Sequence, residues 1–360
     1  MRLSSLLAAL PADLAPQRWI AADPGDDPIV RGIAYDSRRV APGDLFVALR
    51  GAVADGHAYL AQARSLGAVA FLVEQDPDAG AVAGRPAIVV ADTRRALAPL
   101  AVRFYGSPAS ECRLVGVTGT NGKTSTTYLV ESMLAAASVR AGLIGTVEVR
   151  YTTPESLDLQ RLLRAMVTLG VEAVVMEVSS HGLELGRVAG CHFGVAAFTN
   201  LTQDHLDFHG SMDAYLASKA RLFRDHLAPG GAAVVNVDDP ASEKLVAIAR
   251  DQNARLWRVT RRAGARAEDA ELRLVDADVS LAGTRARMAV AGDDVLDVEL
   301  PLIGDFNLEN MLVATGIALA LGIPREAIAR GIARCAIARE RIEGEQLSAP
   351  ASRAPTVRVD

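Results

Sequence analysis

Short apolar runs separated by helix-like segments dominate the first third of the sequence. The runs are "DLFVAL" (44–49), "VAFLVE" (69–74) and "AIVVAD" (87–92), with Ala-rich stretches between them. Apolar runs of this length are typical of buried strands, and their alternation with helices predicts a small α/β unit. The helix breakers in "FYGSPASECR" (104–113) then predict a linker, so we place the first domain at 1–108.

The alternation resumes after the linker. A strand is predicted at 113–118; a glycine-rich loop follows it, and then a segment in which Tyr128, Leu129, Met133 and Leu134 have helical spacing. Further strands are predicted at 172–178, 194–200 and 232–238, with helices at 156–169 and 211–227. This order predicts a mostly parallel sheet with helices on both faces and with ligands at the carboxyl ends of its strands.

The segment from 255 to 302 has a different pattern. Alternating residues in "RARMAVAG" (285–292) and "DVLDVELPL" (294–302) predict a small antiparallel sheet, and helices at 307–321 and from Pro324 follow. We therefore predict an α/β fold with a central domain at 109–345. Residues 346–360, which end on the strand-like "TVRVD", are predicted to begin a further domain.

Composition and charge exclude several classes of protein. The net charge of -5 and the isoelectric point near 5.8 provide no broad basic surface, which argues against nucleic-acid binding. The three cysteines have no disulfide-like spacing, and no apolar run reaches the ~20 residues of a membrane-spanning helix. The start "MRLSSLLAAL" is interpreted as an amphipathic helix rather than a signal peptide. We expect a cytoplasmic monomer without membrane insertion.

The loop after the strand at 113–118 carries the strongest chemical signal. In "GVTGTNGKTST", Gly122, Lys123 and Thr124 match the end of a phosphate-binding loop, although Val117 stands where the common pattern has its first glycine. Strand, glycine loop and helix in this order bring backbone N–H groups and the positive end of a helix dipole to one point. Lys123 would contact the β- and γ-phosphates of a nucleotide, and the Thr124 hydroxyl would bind Mg²⁺. The alternative is a glycine turn with an exposed lysine.

Glu177 ends an apolar strand in "MEVSSHGLELGRV" (176–188). A carboxylate there is costly unless it is paired or bound to a metal, and Mg²⁺ beside the phosphates would explain it. A carboxylate that faces water is the alternative. Ser179, Ser180 and His181 follow, but they lack the G-x-S-x-G sequence of a serine hydrolase.

Acidic and histidine residues are dense after the next strand. Asp204, His205, Asp207 and His209 lie within "FTNLTQDHLDFHGSMDAYLASKARLF" (198–223). The two histidines could suggest zinc, but H-E-x-x-H is absent, and magnesium with His205 as a ligand or close neighbour is favoured. By its pattern alone, Lys219 is a solvated lysine on a helix.

Two asparagines begin a helix in "GDFNLENMLVA" (304–314). An amide side chain offers both a donor and an acceptor to an adenine edge, which makes Asn307 and Asn310 candidates for that role. Helix capping is an equal alternative.

Together these motifs resemble the Mur ligases, and among them the members that add the third amino acid to the cell-wall precursor UDP-N-acetylmuramoyl-L-alanyl-D-glutamate. The resemblance covers nearly the whole chain. It rests on "GVTGTNGKTS", "TTPES", "MEVSSHGLELGRV", "FTNLTQDHLDFHGSMDAYLASKARLF" and "IGDFNLENML", which occur in the family's order. "YDSRRVAPGDLFVALRG" and "DGHAYL" are similar to the family's amino-terminal UDP-binding domain.

The resemblance implies a role for each matching residue. The implied ATP-binding residues are Gly119, Thr120, Asn121, Gly122, Lys123, Thr124, Ser125 and, at adenine, Asn307. The implied magnesium ligands are Thr124, Glu177, His205 and Lys219, with Lys219 carbamylated so that a cation becomes an anion. The implied substrate-binding residues are Tyr35 and Ser37 for uridine, and Thr152, Thr153, Ser179 and Arg187 for the muramoyl-peptide. Lys123, Lys219 and His205 are the implied catalytic residues.

The resemblance also implies a reaction. ATP would phosphorylate the free carboxylate of the D-glutamyl residue, and the amino group of a diamino acid such as meso-diaminopimelate or L-lysine would attack the acyl phosphate. The family has a carboxyl-terminal domain that binds the incoming amino acid, and "TVRVD" falls where that domain should start, so we expect it to be missing. A non-catalytic relative that binds nucleotide and UDP-sugar is therefore an alternative. Folylpolyglutamate synthase and cyanophycin synthetase share the loop, but "YDSRRV" argues against both.

Overall fold

Two compact units make up the described part of the chain. The computed structural model describes residues 1–20, 25–51, 54–145, 152–262, 269–280, 283–291, 294–301 and 304–335. The first unit comprises Met1–Pro108, Glu155–Arg164 and Leu185–Gly190, and the other described residues form the second. The strand expected at Thr356–Asp360 and the domain start predicted at 346–360 lie outside the described residues.

The first unit is built on a five-stranded sheet in the order β1-β5-β4-β3-β2. Strands β2 to β5 are parallel, and β1 pairs antiparallel with β5. The strands are β1 (Arg18–Ile20), β2 (Gly32–Ala34), β3 (Asp44–Val47), β4 (Ala70–Val73) and β5 (Ala87–Val89). The described α-helices that lie wholly in this unit are α1 (Leu3–Leu7), α2 (Leu60–Ser65), α3 (Ala79–Val82) and α4 (Thr93–Tyr105).

Hydrophobic cores cover both faces of this sheet. In β3, Leu45 and Val47 belong to one core, whereas Phe46 belongs to the other. The residues of β4 and β5 divide between the two cores in the same alternating way. Successive side chains of a strand point to opposite faces, so a strand covered on both sides must be apolar throughout. This explains why the unit appears in the sequence as unbroken apolar runs.

The second unit contains a nine-stranded sheet in the order β14-β13-β12-β11-β10-β9-β6-β8-β7. The pairings from β7 across to β12 are parallel, and β12–β13 and β13–β14 are antiparallel. The strands are β6 (Arg113–Thr118), β7 (Ala141–Ile144), β8 (Ala173–Glu177), β9 (Phe193–Phe198), β10 (Leu227–Asn236), β11 (Arg255–Thr260), β12 (Leu272–Ser280), β13 (Gly283–Val290) and β14 (Asp294–Leu300). The α/β prediction is confirmed, and the antiparallel strands continue the edge of the parallel sheet.

Eight further helices are described. They are α5 (Lys123–Ala136), α6 (Ser156–Thr168), α7 (Ser180–Glu184), α8 (Leu206–His209), α9 (Met212–Arg224), α10 (Ser242–Asp251), α11 (Asp305–Ala320) and α12 (Arg325–Arg334). Residues of α6 up to Arg164 belong to the first unit. In the described residues, no helix combines the length and the apolar character that crossing a bilayer requires.

Helices α5, α11 and α12 share one core with the central strands of the second unit. Val117 of β6 and Val234 of β10 pack in this core with Met133 of α5 and Ile317 of α11. α12 lies close to α5. The Ser132 hydroxyl on α5 donates a hydrogen bond of 2.8 Å to the carbonyl oxygen of Gly331 on α12. α5 is therefore fixed on both sides, by the sheet and by α12.

The close approach predicts the effect of a methyl group at Gly331. A Cβ atom at this position would lie 2.4 Å from the Cα atom of Met133, which is backbone and cannot rotate away. We expect Gly331→Ala to lower the free energy of unfolding by about 2 kcal/mol, the usual size of an overpacking penalty. Gly194→Ala is the control, because its Cβ would meet its nearest atom, the Leu114 carbonyl oxygen, at an ordinary 3.7 Å. Urea unfolding of both variants tests this, and equal stabilities would contradict the packing.

Candidate active site

The glycine loop follows a strand at the centre of the parallel part of the second sheet. β6 lies between β8 and β9, with Val117 opposite Glu177 and Thr118 opposite Phe198. Because all three strands run in the same direction, the residues that follow them collect at one edge of the sheet. The loop, Glu177 and the segment after Phe198 are therefore neighbours, as the sequence predicted.

Two glycines allow the loop to turn in a confined space. Gly119 and Gly122 have φ angles of +152° and +82°, in the region that favours glycine. A Cβ atom on Gly119 would lie 1.9 Å from the Thr199 hydroxyl oxygen, and one on Gly122 would lie 2.0 Å from the Asn310 amide oxygen. The loop thus needs glycine at these two positions, which are spaced differently from those of the common phosphate-loop pattern.

Two lysine side chains converge on one carbonyl oxygen of the loop. Lys123 Nζ donates hydrogen bonds to the carbonyl oxygens of Gly119 (3.0 Å) and Thr120 (2.8 Å). Lys219 Nζ donates to the same Gly119 oxygen at 2.8 Å. The chain contains only one other lysine, Lys244, which lies exposed on α10.

The sequence pattern alone suggested that Lys219 is solvated, but the structure shows that it is buried. Its side chain is 1% exposed, on the face of α9 that also buries Tyr215 and Phe223. Its Nζ lies 4.3 Å from the centre of the Tyr215 ring. The family resemblance implies that Lys219 belongs to the site as a magnesium ligand, and this role stays a prediction.

Burial changes the acid–base properties of both lysines. Desolvation holds the pKa of Lys219 well below its ordinary value of 10.5, and the positive charge of Lys123 lowers it further. The pKa of Lys123 is also lowered by desolvation, while Glu177 and Asp204 act in the opposite direction. An amine with a lowered pKa is neutral over a wider range of pH, so Lys219 is a potential nucleophile as well as a cation.

Thr124 and Glu177 provide oxygen atoms beside the lysines. The Thr124 hydroxyl donates a hydrogen bond of 3.0 Å to Glu177 Oε1, and the Glu177 side chain is 1% exposed. This pair was predicted to bind metal, and its hydroxyl and carboxylate oxygens are ligands that suit Mg²⁺. Among the described residues, no three His, Cys, Asp or Glu side chains form a metal-binding group. The four-residue ligand set therefore stays a prediction.

His205 belongs to a cluster of rings next to the lysine pair. It has a left-handed backbone conformation at the start of α8, and its side chain is 47% exposed. Its ring centre lies 4.9 Å from that of His181 and 6.2 Å from that of Tyr215. The Tyr215 ring thus lies close to both His205 and the Lys219 amine.

The serine pair after β8 has structural partners. Ser179 Oγ lies 3.1 Å from Thr153 Oγ1, which donates a hydrogen bond to the Glu177 carbonyl oxygen. Two predicted substrate residues, Thr153 and Ser179, are thereby brought together behind Glu177. Ser180 Oγ lies 2.9 Å from His209 Nε2, but Ser180 is only 2% exposed. A hydrolase nucleophile must reach its substrate, so this burial argues against Ser180 as such a nucleophile.

The two asparagines of α11 differ in position. Asn310 is buried, and its amide oxygen lies close to the backbone of Gly122. Asn307 is also buried, and its backbone N–H donates to the carbonyl oxygen of Gly304. Asn310 therefore lies against the loop, whereas a contact of Asn307 with adenine stays a prediction.

The remaining predicted substrate residues, apart from Thr152 in the second unit, lie in the first unit. Tyr35 donates a short hydrogen bond to Asp158. Burial is the main cause that raises the pKa of Tyr35, and the hydrogen bond to Asp158 raises it further. The Ser37 hydroxyl donates to Gln62 Oε1 at 3.0 Å.

Arg187 lies in a charged cluster of the same unit. Its Nε is 3.6 Å from Glu155 Oε2, an oxygen that also accepts a hydrogen bond of 2.9 Å from Arg94. Two guanidinium groups thus share one carboxylate oxygen.

Residues after β9 support the loop and were missed by the sequence analysis. The Thr199 hydroxyl donates to the Asn121 carbonyl oxygen at 2.6 Å, and the Asn200 amide bonds to both backbone groups of Asn121. The Thr202 N–H donates to the Thr120 hydroxyl at 3.0 Å. Polar residues directly after a parallel strand were the available signal, but the charged residues further along gave the stronger chemical pattern.

A glycine loop between a central parallel strand and a helix that begins Lys-Thr defines the P-loop class of α/β proteins. Two family models match the chain. Residues 117–318 match the Mur ligase middle domain, and residues 29–105 match the Mur ligase family, catalytic domain. The chain therefore belongs to the Mur ligase family.

Curated relatives and a solved structure agree with this assignment. The chain is 42% identical to the UDP-N-acetylmuramoyl-L-alanyl-D-glutamate–2,6-diaminopimelate ligase of Bacillus licheniformis, over 85% of this chain and 63% of that protein. It is 41% identical to the UDP-N-acetylmuramyl-tripeptide synthetase of Roseiflexus sp., over 96% of this chain and 68% of that protein. A solved structure of a UDP-N-acetylmuramoyl-L-alanyl-D-glutamate–2,6-diaminopimelate ligase has a TM-score of 0.72 at 28% identity and covers 89% of this chain and 64% of its own. The chain spans 60 to 63% of the length of several curated relatives.

The buried lysine predicts a pH dependence of stability. Below the folded pKa of Lys219 the amine is charged in both states, and the full cost of burying it applies. Between that pKa and 10.5 the unfolded chain binds a proton that the folded chain does not, so the free energy of unfolding rises with pH. We expect Lys219→Met to be more stable than the unaltered chain at neutral pH and to show a flatter rise towards pH 10.

Urea unfolding at a series of pH values measures this effect. Lys244→Met is the control, since it removes an exposed lysine of the same length. Identical pH slopes for Lys219→Met and the unaltered chain would show that Lys219 titrates normally.

Proposed function

We propose that this chain is an ATP-dependent ligase that adds a diamino acid to UDP-N-acetylmuramoyl-L-alanyl-D-glutamate. The observation that carries the proposal is the convergence of Lys123 and Lys219 on the Gly119 carbonyl oxygen, beside the Thr124–Glu177 pair. This arrangement concentrates positive charge and oxygen ligands at the start of a helix. Family membership and the names of the relatives support the same reaction.

The start of α5 is suited to the phosphates of ATP. The first N–H groups of a helix have no partner within it, and the helix dipole adds partial positive charge there. α5 begins at Lys123, directly after the glycine loop, so these N–H groups and the Lys123 amine face one region. Residues Gly119 to Ser125 would therefore bind the phosphates, and Asn307 would contact adenine.

The oxygen donors of the site fit Mg²⁺. This ion takes oxygen ligands and is usually held by one or two carboxylates together with substrate phosphates and water. Thr124 and Glu177 would hold it, with His205 and a carbamylated Lys219 as further ligands. When bound, Mg²⁺ would offset the negative charge of the phosphates.

Carbamylation would convert Lys219 from a cation into an anion. A neutral lysine amine adds to carbon dioxide through its nitrogen lone pair, loses one proton and becomes an N-carboxylate. The lowered pKa of Lys219 favours the neutral amine that this step requires. The carbamate would also relieve the repulsion between the two lysine charges.

The proposed reaction has two steps. A carboxylate oxygen of the D-glutamyl residue attacks the γ-phosphorus of ATP, and the bond to the β-phosphate oxygen breaks, which releases ADP. The amino group of the diamino acid then attacks the acyl carbon, inorganic phosphate leaves, and the nitrogen loses a proton. Lys123 would stabilise charge on the transferring phosphoryl group, since phosphoryl transfer depends mainly on positioning and electrostatics.

Six residues would hold the muramoyl substrate. Tyr35 and Ser37 would contact the uridine, and Thr152, Thr153, Ser179 and Arg187 would contact the muramoyl-peptide. Arg187 suits a carboxylate, because a guanidinium can donate two parallel hydrogen bonds to the two carboxylate oxygens.

The first step predicts substrate-dependent formation of ADP. With ATP, Mg²⁺ and UDP-N-acetylmuramoyl-L-alanyl-D-glutamate, hydroxylamine should trap the acyl phosphate as a hydroxamate, and diaminopimelate or lysine should give the tripeptide product. We expect Lys123→Met to lower the rate at least 100-fold, the size expected for loss of a transition-state charge contact. Lys244→Met is the matched control and should retain the full rate. ATP binding without hydroxamate or product would favour a non-catalytic nucleotide-binding protein.

Carbamylation of Lys219 predicts a resonance in ¹³C NMR. With ¹³C-bicarbonate, the unaltered chain should show one protein-bound carbamate signal that is lost in Lys219→Met and kept in Lys244→Met. The small number of lysines makes the assignment direct. A spectrum without this signal at alkaline pH and saturating bicarbonate would contradict carbamylation.

A further inference from the structure

We propose that Asn200 is a positioning residue that fixes the phosphate loop in its binding conformation before nucleotide arrives. The inference rests on the proposed ATP site. It concerns a residue that contacts the loop rather than the phosphates.

The Asn200 side chain bonds to both backbone groups of one loop residue. Its Oδ1 accepts a hydrogen bond of 2.9 Å from the Asn121 N–H, and its Nδ2 donates one of 3.2 Å to the Asn121 carbonyl oxygen. The backbone carbonyl oxygen of Asn200 accepts a further bond of 2.8 Å from the Thr120 N–H. An amide side chain offers one donor and one acceptor in a fixed plane, so it can hold a peptide segment as a neighbouring strand would.

The segment that carries Asn200 is itself anchored. Thr199 follows β9 directly, and its carbonyl oxygen accepts a hydrogen bond of 2.8 Å from the buried Asn236 amide on β10. The Leu201 N–H donates to Asp239 Oδ2 at 2.7 Å. The loop is therefore tied, through Asn200, to the ends of two central strands.

The Asn200 amide restricts the exposed tip of the loop. Asn121 is exposed and lies between Gly119 and Gly122, which restrict the backbone least. Without the Asn200 amide, this segment would have more conformations available in the absence of nucleotide. Ordering it would then reduce the affinity for nucleotide, because binding has to supply the cost of ordering.

Amide hydrogen exchange in the absence of nucleotide tests the hydrogen bonds between the Asn200 side chain and the Asn121 backbone. In Asn200→Ala, the Asn121 amide should exchange at least tenfold faster, whereas the Thr120 amide, which bonds to the backbone of residue 200, should change little. In Asn200→Asp, the Oδ acceptor is retained, so the Asn121 amide should stay protected. An Asn121 amide that exchanges equally in the unaltered chain and in Asn200→Ala would overturn the proposal.

Titration with Mg²⁺-ATP tests the functional consequence. We expect Asn200→Ala to bind Mg²⁺-ATP at least fivefold more weakly than the unaltered chain. The control is Gln252→Ala, which truncates an amide side chain at the exposed end of α10. Without nucleotide, the thermal midpoint of Asn200→Ala should shift no more than that of Gln252→Ala. Unchanged affinity in Asn200→Ala, beside an unaltered chain that binds ATP, would overturn the positioning role. Failure of the unaltered chain to bind ATP would instead overturn the proposed function and the nucleotide part of this inference, and the exchange experiment would still decide whether the tie exists.

Discussion

The carbonyl oxygen of Gly119 accepts hydrogen bonds from two lysines, and the organisation of the site depends on this contact. Bringing two amines to one oxygen is unfavourable when both are charged, and burial increases the cost because little water is present to screen them. Desolvation lowers the pKa of both lysines, and the charge of Lys123 lowers the pKa of Lys219 further. Phosphate oxygens would satisfy Lys123, and conversion of Lys219 to an anion would remove the repulsion. Lys123 would then be the cation of this pair that faces the phosphates.

The sheet makes this contact possible. Lys123 reaches Gly119 from α5, and Lys219 reaches it from α9, 100 positions further along the chain. Both helices pack against the parallel strands whose ends form the edge of the sheet. Glu177 ends β8 and reaches Thr124 at this edge, while Thr199 and Asn200 follow β9 and hold Asn121. A parallel sheet brings these segments together because all of its strands end on the same side.

Much of this arrangement could be predicted from the sequence. The bounds of β6 agree with the predicted strand, because its apolar run ends sharply at the glycine loop. The parallel sheet followed from the alternation of strands and helices. The junction between the parallel and antiparallel strands could not be predicted, because a pattern along one strand does not show which strand lies beside it.

The burial of Lys219 illustrates a second limit. Tyr215, Lys219 and Phe223 are spaced four apart, so they share a helix face, and this spacing was a usable signal. A charged residue on an apolar face usually extends its amine to water, which is why the pattern alone gave the wrong answer. The contacts with Gly119 and with the Tyr215 ring, which depend on the fold, make burial of the amine tolerable. The role of Asn200 depends in the same way on a contact between separate segments. A crystal structure of the chain with Mg²⁺ and a non-hydrolysable ATP analogue is the most direct test of this account. We expect Lys123 Nζ to leave the carbonyl oxygens of Gly119 and Thr120 and to contact the β- and γ-phosphates at the start of α5. A nucleotide bound elsewhere, or a Lys123 that keeps both carbonyl contacts while the nucleotide is bound, would contradict it.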